Sequence, residues 1–294
     1  MQRSVLLRLH FIVFLWGFTA VLGKLISVDA YRLTFFRMGF AALFLFISNR
    51  FILRNRMNIS LRLLLQLFGV GSLMAGHWIL FFLSIKVANV AIALSCMSLS
   101  TLFAALIEPL IFGRRVDLRE IIIGIIIVGC ILLIFNAEME YEMGIMYGII
   151  CALLGTLFSV LNGKMYGRTA SGNIIFYEIF GGTVVLFFYF LLTGQGEILD
   201  MSEISWQNLS LIVLLSGVFT AYPMLESVNL MKYISPFTII LTVNLEPVYG
   251  IVLAYLIFGE TEHMTPVFYL SAVVMIFSIF ANGYLKAKRK LKQH

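Results

Sequence analysis

Acidic and basic side chains occur inside long apolar runs of this chain, at positions deep enough to lie within a lipid bilayer. Glu246 lies about halfway along one run and precedes Pro247, which lacks a backbone donor and can bend a helix. A charge at that depth costs about 2.5–3.5 kcal/mol on insertion scales, so it usually faces a cavity or a partner. Glu246 is therefore the first candidate for carrying a proton or contacting an amine. The alternative is a protonated carboxyl packed against a neighbouring helix.

Two further charges, Arg37 and Glu178, also lie within apolar runs. Arg37 has a fork of donors that suits a carboxylate, either on a bound molecule or on an acid that locks two helices together. Arg37 lies about a third of the way in from the outer face, and Glu178 lies at a similar depth from the inner face, so we expect no direct contact between the two. The alternative for Glu178 is a side chain that reaches out to the headgroups.

His77 and Trp78 are neighbours near the middle of a third run. Histidine titrates near physiological pH, and tryptophan offers a flat face to a cation or a ring. The alternative for His77 is a plain hydrogen bond between helices. An internal repeat matches His77 to Pro223, which predicts a bent helix there, and Tyr222 just before it becomes a further candidate.

The remaining candidates are Glu226, Ser98, Asn162 and Asn244. Each could line a cavity or only bond across helices, which is worth about 0.6 kcal/mol on average. No phosphate-binding loop, nucleophile elbow or zinc-protease motif occurs, and the three cysteines have no metal or disulfide spacing. The sequence therefore predicts no catalytic residue, no metal and no cofactor, and it does not predict an enzyme.

The composition explains why these charges stand out. Of the 294 residues, 61% are hydrophobic and only 12% are charged. A typical soluble domain carries about twice that charge. Despite a net charge of +6, the basic residues occupy short segments between apolar runs, which excludes a nucleic-acid-binding domain.

The apolar runs predict an all-α integral membrane protein. A helix needs about 20 apolar residues to cross a bilayer, and ten segments qualify: 8–27, 30–49, 63–85, 88–112, 118–136, 144–164, 172–192, 207–231, 235–258 and 265–285. With both termini in the cytoplasm, 17 of the 21 Lys and Arg residues fall on the cytoplasmic side and three on the other. That bias agrees with the positive-inside rule. We expect a multi-pass protein of the inner membrane.

The two halves of the chain resemble each other. A shift of 146 residues places Leu110 to Gly113 on Leu256 to Gly259, and Lys86 on Lys232, while a shift of 140 aligns the first helix of each half. Five spans per half is an odd number, so the halves must be inverted relative to each other, as in many secondary transporters. We predict repeats at 1–137 and 143–285 and a basic tail at 286–294.

Four groups of residues in the two repeats form a recognisable pattern. They are Trp16-Gly17-Phe18 with Lys24 and Phe36-Arg37, then Glu108 to Arg115, Leu245 to Tyr249 and Leu256 to Glu260. These segments resemble the EamA family of the drug/metabolite transporter superfamily. The resemblance implies ten helices in two inverted repeats and a central cavity lined mainly by helices 1–4 and 6–9. It also implies membership of a group that includes exporters of amino acids and other small metabolites.

Together these features predict a secondary transporter that exports small metabolites, amino acids or related amphipathic compounds, by alternating access. The sequence leaves undecided whether transport is coupled to protons and whether the protein forms a homodimer. The expected partners are a small-molecule substrate and the bilayer, without nucleic acid. The alternatives are an uptake permease or drug-efflux protein on the same scaffold and, from another class, an intramembrane enzyme or assembly factor.

Overall fold

The computed structural model of the chain is helical, with no strand in the residues that it describes. These are 2–234, 239, 242–243 and 245–292, and side chains are described up to residue 278 and at 281, from residue 4 onward. The described helices are α1 (Gln2–Leu25), α2 (Ala30–Ile47), α3 (Leu61–Val87), α4 (Val90–Met97), α5 (Ser100–Phe112), α6 (Leu118–Ala137), α7 (Glu142–Met165), α8 (Ser171–Leu192), α9 (Trp206–Ser216), α10 (Tyr222–Leu230), α11 (Glu246–Phe258) and α12 (Pro266–Lys292).

The first eight predicted spans are confirmed as helical segments long and apolar enough to cross a membrane. Within the described residues there are eight such segments, and Pro266–Ser278 is a shorter apolar helix. The predicted span 235–258 falls partly outside the described residues, and α11 forms its second half. The count of ten spans therefore stays a prediction, whereas a multi-pass helical membrane protein is shown.

Three predicted spans are not single regular helices. The span 88–112 divides into α4 and α5 at Ser98 and Leu99, whose backbone N–H groups bond three residues back at 3.1 Å. The span 207–231 contains a π-helical turn at Gly217–Ala221, immediately before α10 and its Pro223. This irregularity confirms the bend expected from the proline, because proline lacks the donor that a regular helix needs. The break at Ser98 has no proline, and sequence reasoning missed it.

Each half inserts its third helix between the first two helices of the other half. α3 packs against α7 and α8, while α9 and α10 pack against α1 and α2. Glycine allows the closest of these approaches: a Cβ atom on Gly71 of α3 would lie 2.0 Å from the Glu178 carbonyl oxygen of α8. α6 and α12 pack against each other at the periphery. The exchange of helices between the halves encloses the space at the centre.

The outward face of α6 is apolar. Ile125 and Leu132 are 61% and 57% exposed, while Ile127 and Ile134 on the opposite face are fully buried. A water-soluble protein rarely exposes a contiguous apolar surface of this kind. The face is suited to lipid, in agreement with the predicted membrane location.

One buried acid joins three separate segments near the end of α1. The carboxylate of Glu262, which is 3% exposed, accepts a hydrogen bond from Lys24 Nζ at 2.7 Å. It also accepts bonds from the backbone N–H groups of Val90 and Ala91 at 3.1 and 3.0 Å. Glu262 therefore caps the N-terminus of α4 and ties it to α1.

We expect Glu262→Ala to lower the free energy of unfolding by about 3–5 kcal/mol, the usual cost of breaking a buried ion pair. The substitution leaves two backbone donors and the Lys24 ammonium without their acceptor. Unfolding of the detergent-solubilised protein would measure the loss. Glu260→Ala, at an exposed position in the same turn, is the control and should change stability by less than about 0.5 kcal/mol. Equal effects of the two substitutions would contradict this role.

Candidate substrate-binding cavity

A central cavity of about 110 Å³ lies between the two halves. Its described lining comes from α1, α2, α3, α5, α7, α10 and α11, together with Met97 at the end of α4 and with Met231, Ile239 and Val243 between α10 and α11. The described residues of α6, α8, α9 and α12 contribute nothing to it.

Arg37 is the charged group most firmly held at the cavity. It is 2% exposed, and its Nε donates a hydrogen bond of 2.8 Å to the Thr220 hydroxyl. Its guanidinium carbon lies 4.1 Å from the centroid of the Trp78 ring. The Nη1 atom has no hydrogen-bond partner. Arg37 is therefore a fixed cation with an unused donor, which is the arrangement expected of an anion-binding group.

The acceptor for Arg37 is created by the π-helical turn. Thr220 lies in that turn, and its hydroxyl donates a 2.7 Å bond to the carbonyl of Leu215, five residues earlier. The hydroxyl oxygen is thereby free to accept from Arg37. The irregular backbone beside Pro223 thus orients the guanidinium, a role common for π turns at functional sites.

Glu246 faces the same cavity as Arg37. It is the first residue of α11, where the helix dipole favours a negative charge. Both residues line the cavity, but no direct ion pair joins the two in the described part of the chain. A molecule with separated negative and positive groups could bridge them.

His77 and Trp78 are both in the cavity wall. His77 Nδ1 lies 2.9 Å from the carbonyl of Cys151, so this nitrogen must carry the hydrogen. The Cys151 thiol in turn donates to the His77 carbonyl at 3.3 Å. The reciprocal bonds hold α3 to α7, which supports the helix-contact interpretation of His77. Its other ring nitrogen is left as an acceptor for the cavity.

Asn162 and Glu178 are neighbours, but only Asn162 lines the cavity. Glu178 is fully buried, and neither of its carboxyl oxygens makes a hydrogen bond of standard geometry, although the Asn162 side chain is close enough to interact with them. Glu178 is buried against α3. It therefore does not extend to the lipid headgroups, which was the alternative interpretation from the sequence. Glu178 and Arg37 form no ion pair in the described structure, as expected.

Three other predicted site residues, Tyr222, Glu226 and Ser98, are not part of the cavity lining. Tyr222 is 46% exposed and packs edge-on against Phe11. Glu226 forms an ion pair with Arg8 of α1. Ser98 is buried at the break between α4 and α5, beside the cavity-lining Met97 and Ser100. Asn244 lies outside the described residues.

Sequence reasoning missed several polar side chains in the cavity wall, and a repeat signal could have found them. In six pairs of residues that align between the halves, both members line the cavity. The pairs are Trp78 with Met224, Phe81 with Ser227, Met97 with Val243, Ser100 with Glu246, Trp16 with Thr156 and Thr19 with Ser159. The first four pairs share the 146-residue shift and the last two the 140-residue shift. The cavity therefore lies on the approximate symmetry axis that relates the halves.

We expect Thr220→Val to weaken substrate binding about fivefold, because a single lost hydrogen bond is worth about 1 kcal/mol. The change removes the acceptor that orients Arg37 while keeping the shape of the side chain. It should raise the substrate concentration for half-maximal flux without a comparable fall in stability. Thr183→Val, which removes only a bond to its own helix carbonyl at Ile179, is the control. An unchanged half-saturation value in Thr220→Val would exclude a positioning role.

Comparison with known proteins agrees with this architecture. A search of curated proteins found no match. A solved structure whose title reads "Crystal structure of protein" matches with a TM-score of 0.67 and 16% identity, covering 98% of each chain, and so shows the same fold. The model of the EamA-like transporter family matches residues 4–136 and again residues 142–284. This double match covers almost the whole chain, and we conclude that the protein belongs to the EamA-like transporter family.

Proposed function

We propose that the protein is a secondary transporter that exports small zwitterionic or amphipathic metabolites, amino acids among them. The observation that carries this proposal is the buried guanidinium of Arg37, fixed by Thr220 and Trp78, with an unused donor at a cavity that also contains Glu246. Arg37 would bind a carboxylate and Glu246 an ammonium group. Trp16, Phe81 and Phe158 supply the apolar wall for the rest of the molecule.

Alternating access is supported by the paired lining of the cavity. Inverted repeats allow two halves to exchange shapes, which opens a midplane site first to one side and then to the other. We place both termini in the cytoplasm and the protein in the inner membrane, because the positive-inside bias favours that orientation. A bound metabolite would then be carried across with the exchange.

The test is uptake into sealed proteoliposomes of radiolabelled amino acids, beginning with L-phenylalanine and L-leucine, with amines and carboxylic acids that carry only one of the two charges as comparisons. We expect saturable flux of zwitterions and weaker flux of the singly charged compounds, absent in protein-free vesicles. Equal flux of all three classes would contradict a role for both Arg37 and Glu246. No flux of any compound by folded, inserted protein would overturn the proposal.

The direction of transport has to be measured in intact cells. Overexpression should confer resistance to a toxic analogue of the transported metabolite if the protein exports, because the internal concentration falls. Increased sensitivity would instead identify an uptake permease. Loss of resistance in Arg37→Met would show that the effect depends on the cavity.

A further inference from the structure

Glu178 is a buried acid that the proposed binding of a metabolite does not use. It lies on α8 behind Asn162, whose side chain lines the cavity. Glu178 is 0% exposed, and neither of its carboxyl oxygens makes a hydrogen bond of standard geometry. The Asn162 side chain is close enough to interact with the carboxyl group, so the neighbour of Glu178 on the side of the cavity is a neutral amide and not a cation.

Among the described residues, no cation forms an ion pair with Glu178. The charged or titratable groups on the elements packed around α8 include Tyr31, Arg32, Arg37, Arg50, Arg62, His77, Lys86, Glu197, Tyr222 and Glu226. None of them makes a hydrogen bond to the Glu178 carboxyl group. The other acids classed as buried all have bonded partners: Glu108 and Glu120 bond to Arg114, Glu226 pairs with Arg8, Glu262 pairs with Lys24, and Glu138 accepts two bonds from Thr265.

Burial away from any cation determines the protonation state of the Glu178 side chain. An ionised carboxylate transferred out of water without compensation is far more costly than a neutral carboxylic acid. The Glu178 backbone lies against Gly71 of α3, so the two helices are in close contact at this residue. In the conformation described here, Glu178 is therefore the neutral acid.

The repeat shows where Glu178 would lie in another conformation. Its equivalent in the first half is Arg37, 141 residues earlier and aligned within one residue of the 140-residue shift. Arg37 lines the cavity, whereas Glu178 is sealed from it. When inverted repeats exchange shapes, each residue takes up the surroundings of its equivalent. The exchange would bring Glu178 to the cavity and withdraw Arg37.

We propose that Glu178 is a proton-binding site, sealed and protonated in this conformation and open to the cavity and ionised after the two halves exchange shapes. The inference rests on the alternating access of the proposed function, but not on the identity of the metabolite. On opening, the O–H bond of the carboxyl breaks and the proton passes to water in the cavity, which leaves a carboxylate. Proton uptake then favours the conformation described here.

The test measures conformation against pH without any substrate. Spin labels on Gln195→Cys and His263→Cys report one end of the molecule, and labels on Arg56→Cys and Lys232→Cys report the other; all four positions are exposed. The native Cys96, Cys130 and Cys151 are buried and should stay unlabelled. For a single linked proton, the ratio of the two conformations should change by up to about tenfold per pH unit, with the described one favoured at low pH.

Glu178→Gln mimics the neutral acid, so it should hold the protein in the described conformation at every pH. Glu246→Gln should keep the pH dependence. A normal pH response in Glu178→Gln, or its loss in Glu246→Gln alone, would overturn the proposal. Infrared spectra supply a second measurement: the C=O band of a protonated buried carboxyl should be present in the native protein at neutral pH and absent from Glu178→Gln. A difference spectrum without that band would also overturn it.

Discussion

Arg37→Met is expected to lower the efficiency of transport on the order of 100-fold, equivalent to roughly 3 kcal/mol, while leaving the protein folded. Methionine has a similar length but lacks the donors that would bind a carboxylate. Because Arg37 is buried without an acid partner, its charge contributes little to stability. We therefore expect the free energy of unfolding to stay within about 1 kcal/mol of the native value. Initial rates in proteoliposomes and unfolding in detergent would measure the two quantities.

The matched control is Arg32→Met. Arg32 lies in the first turn of α2 and donates to the Glu197 carbonyl at 2.8 Å, and it is not part of the cavity lining. Its loss should leave transport efficiency nearly unchanged. If Arg37→Met transported normally but unfolded more easily, Arg37 would be a structural residue. The sequence left open such a role through an acid that locks two helices together, whereas in the structure the partner would be Thr220 of the π-helical turn.

Gly71→Ala is expected to destabilise the protein by about 3 kcal/mol or more, at the upper end of the cost of overpacking. The added methyl group would lie 2.0 Å from the Glu178 carbonyl oxygen and 2.8 Å from the Gly182 nitrogen. Both atoms belong to the backbone of α8, so no side chain can turn aside and the two helices must separate. A fall in the unfolding midpoint in detergent would measure the effect.

Gly69→Ala is a control in the same helix, two residues away. A Cβ atom at Gly69 meets nothing within 4 Å. That change should be neutral or stabilising by up to about 1 kcal/mol, because alanine favours helices more than glycine does. Similar losses at the two positions would show that helix propensity matters more than the contact between α3 and α8.

The sequence was sufficient to predict the helical membrane fold. An apolar run of about 20 residues can cross a bilayer as a helix, because a helix satisfies its own backbone hydrogen bonds where no water is present. Few other structures meet that requirement. Pro223 predicted an irregular helix, because the missing donor is a local property of the residue. The repeat was also visible in the sequence, because equivalent residues of the two halves keep the same spacing along the chain.

The sequence also identified most of the charged groups that deserve a functional explanation, because a charge inside an apolar run is costly wherever the helices pack. It could not say which of them share a cavity. Glu246 and Arg37 both line it, whereas Glu226 turns to Arg8 and Tyr222 is exposed. Depth along a helix follows from residue number, but the direction a side chain faces depends on which helices surround it.

Tertiary structure alone decided the partners of Arg37 and the isolation of Glu178. Thr220 is 183 residues from Arg37 along the chain, and it accepts the bond only because a π-helical turn presents its hydroxyl. Glu178 is sealed because Gly71 lets α3 approach the α8 backbone. Residue type and local spacing determined the helices and the charges within them. The contacts that give those charges different roles arise from packing between the two halves, which no single segment encodes.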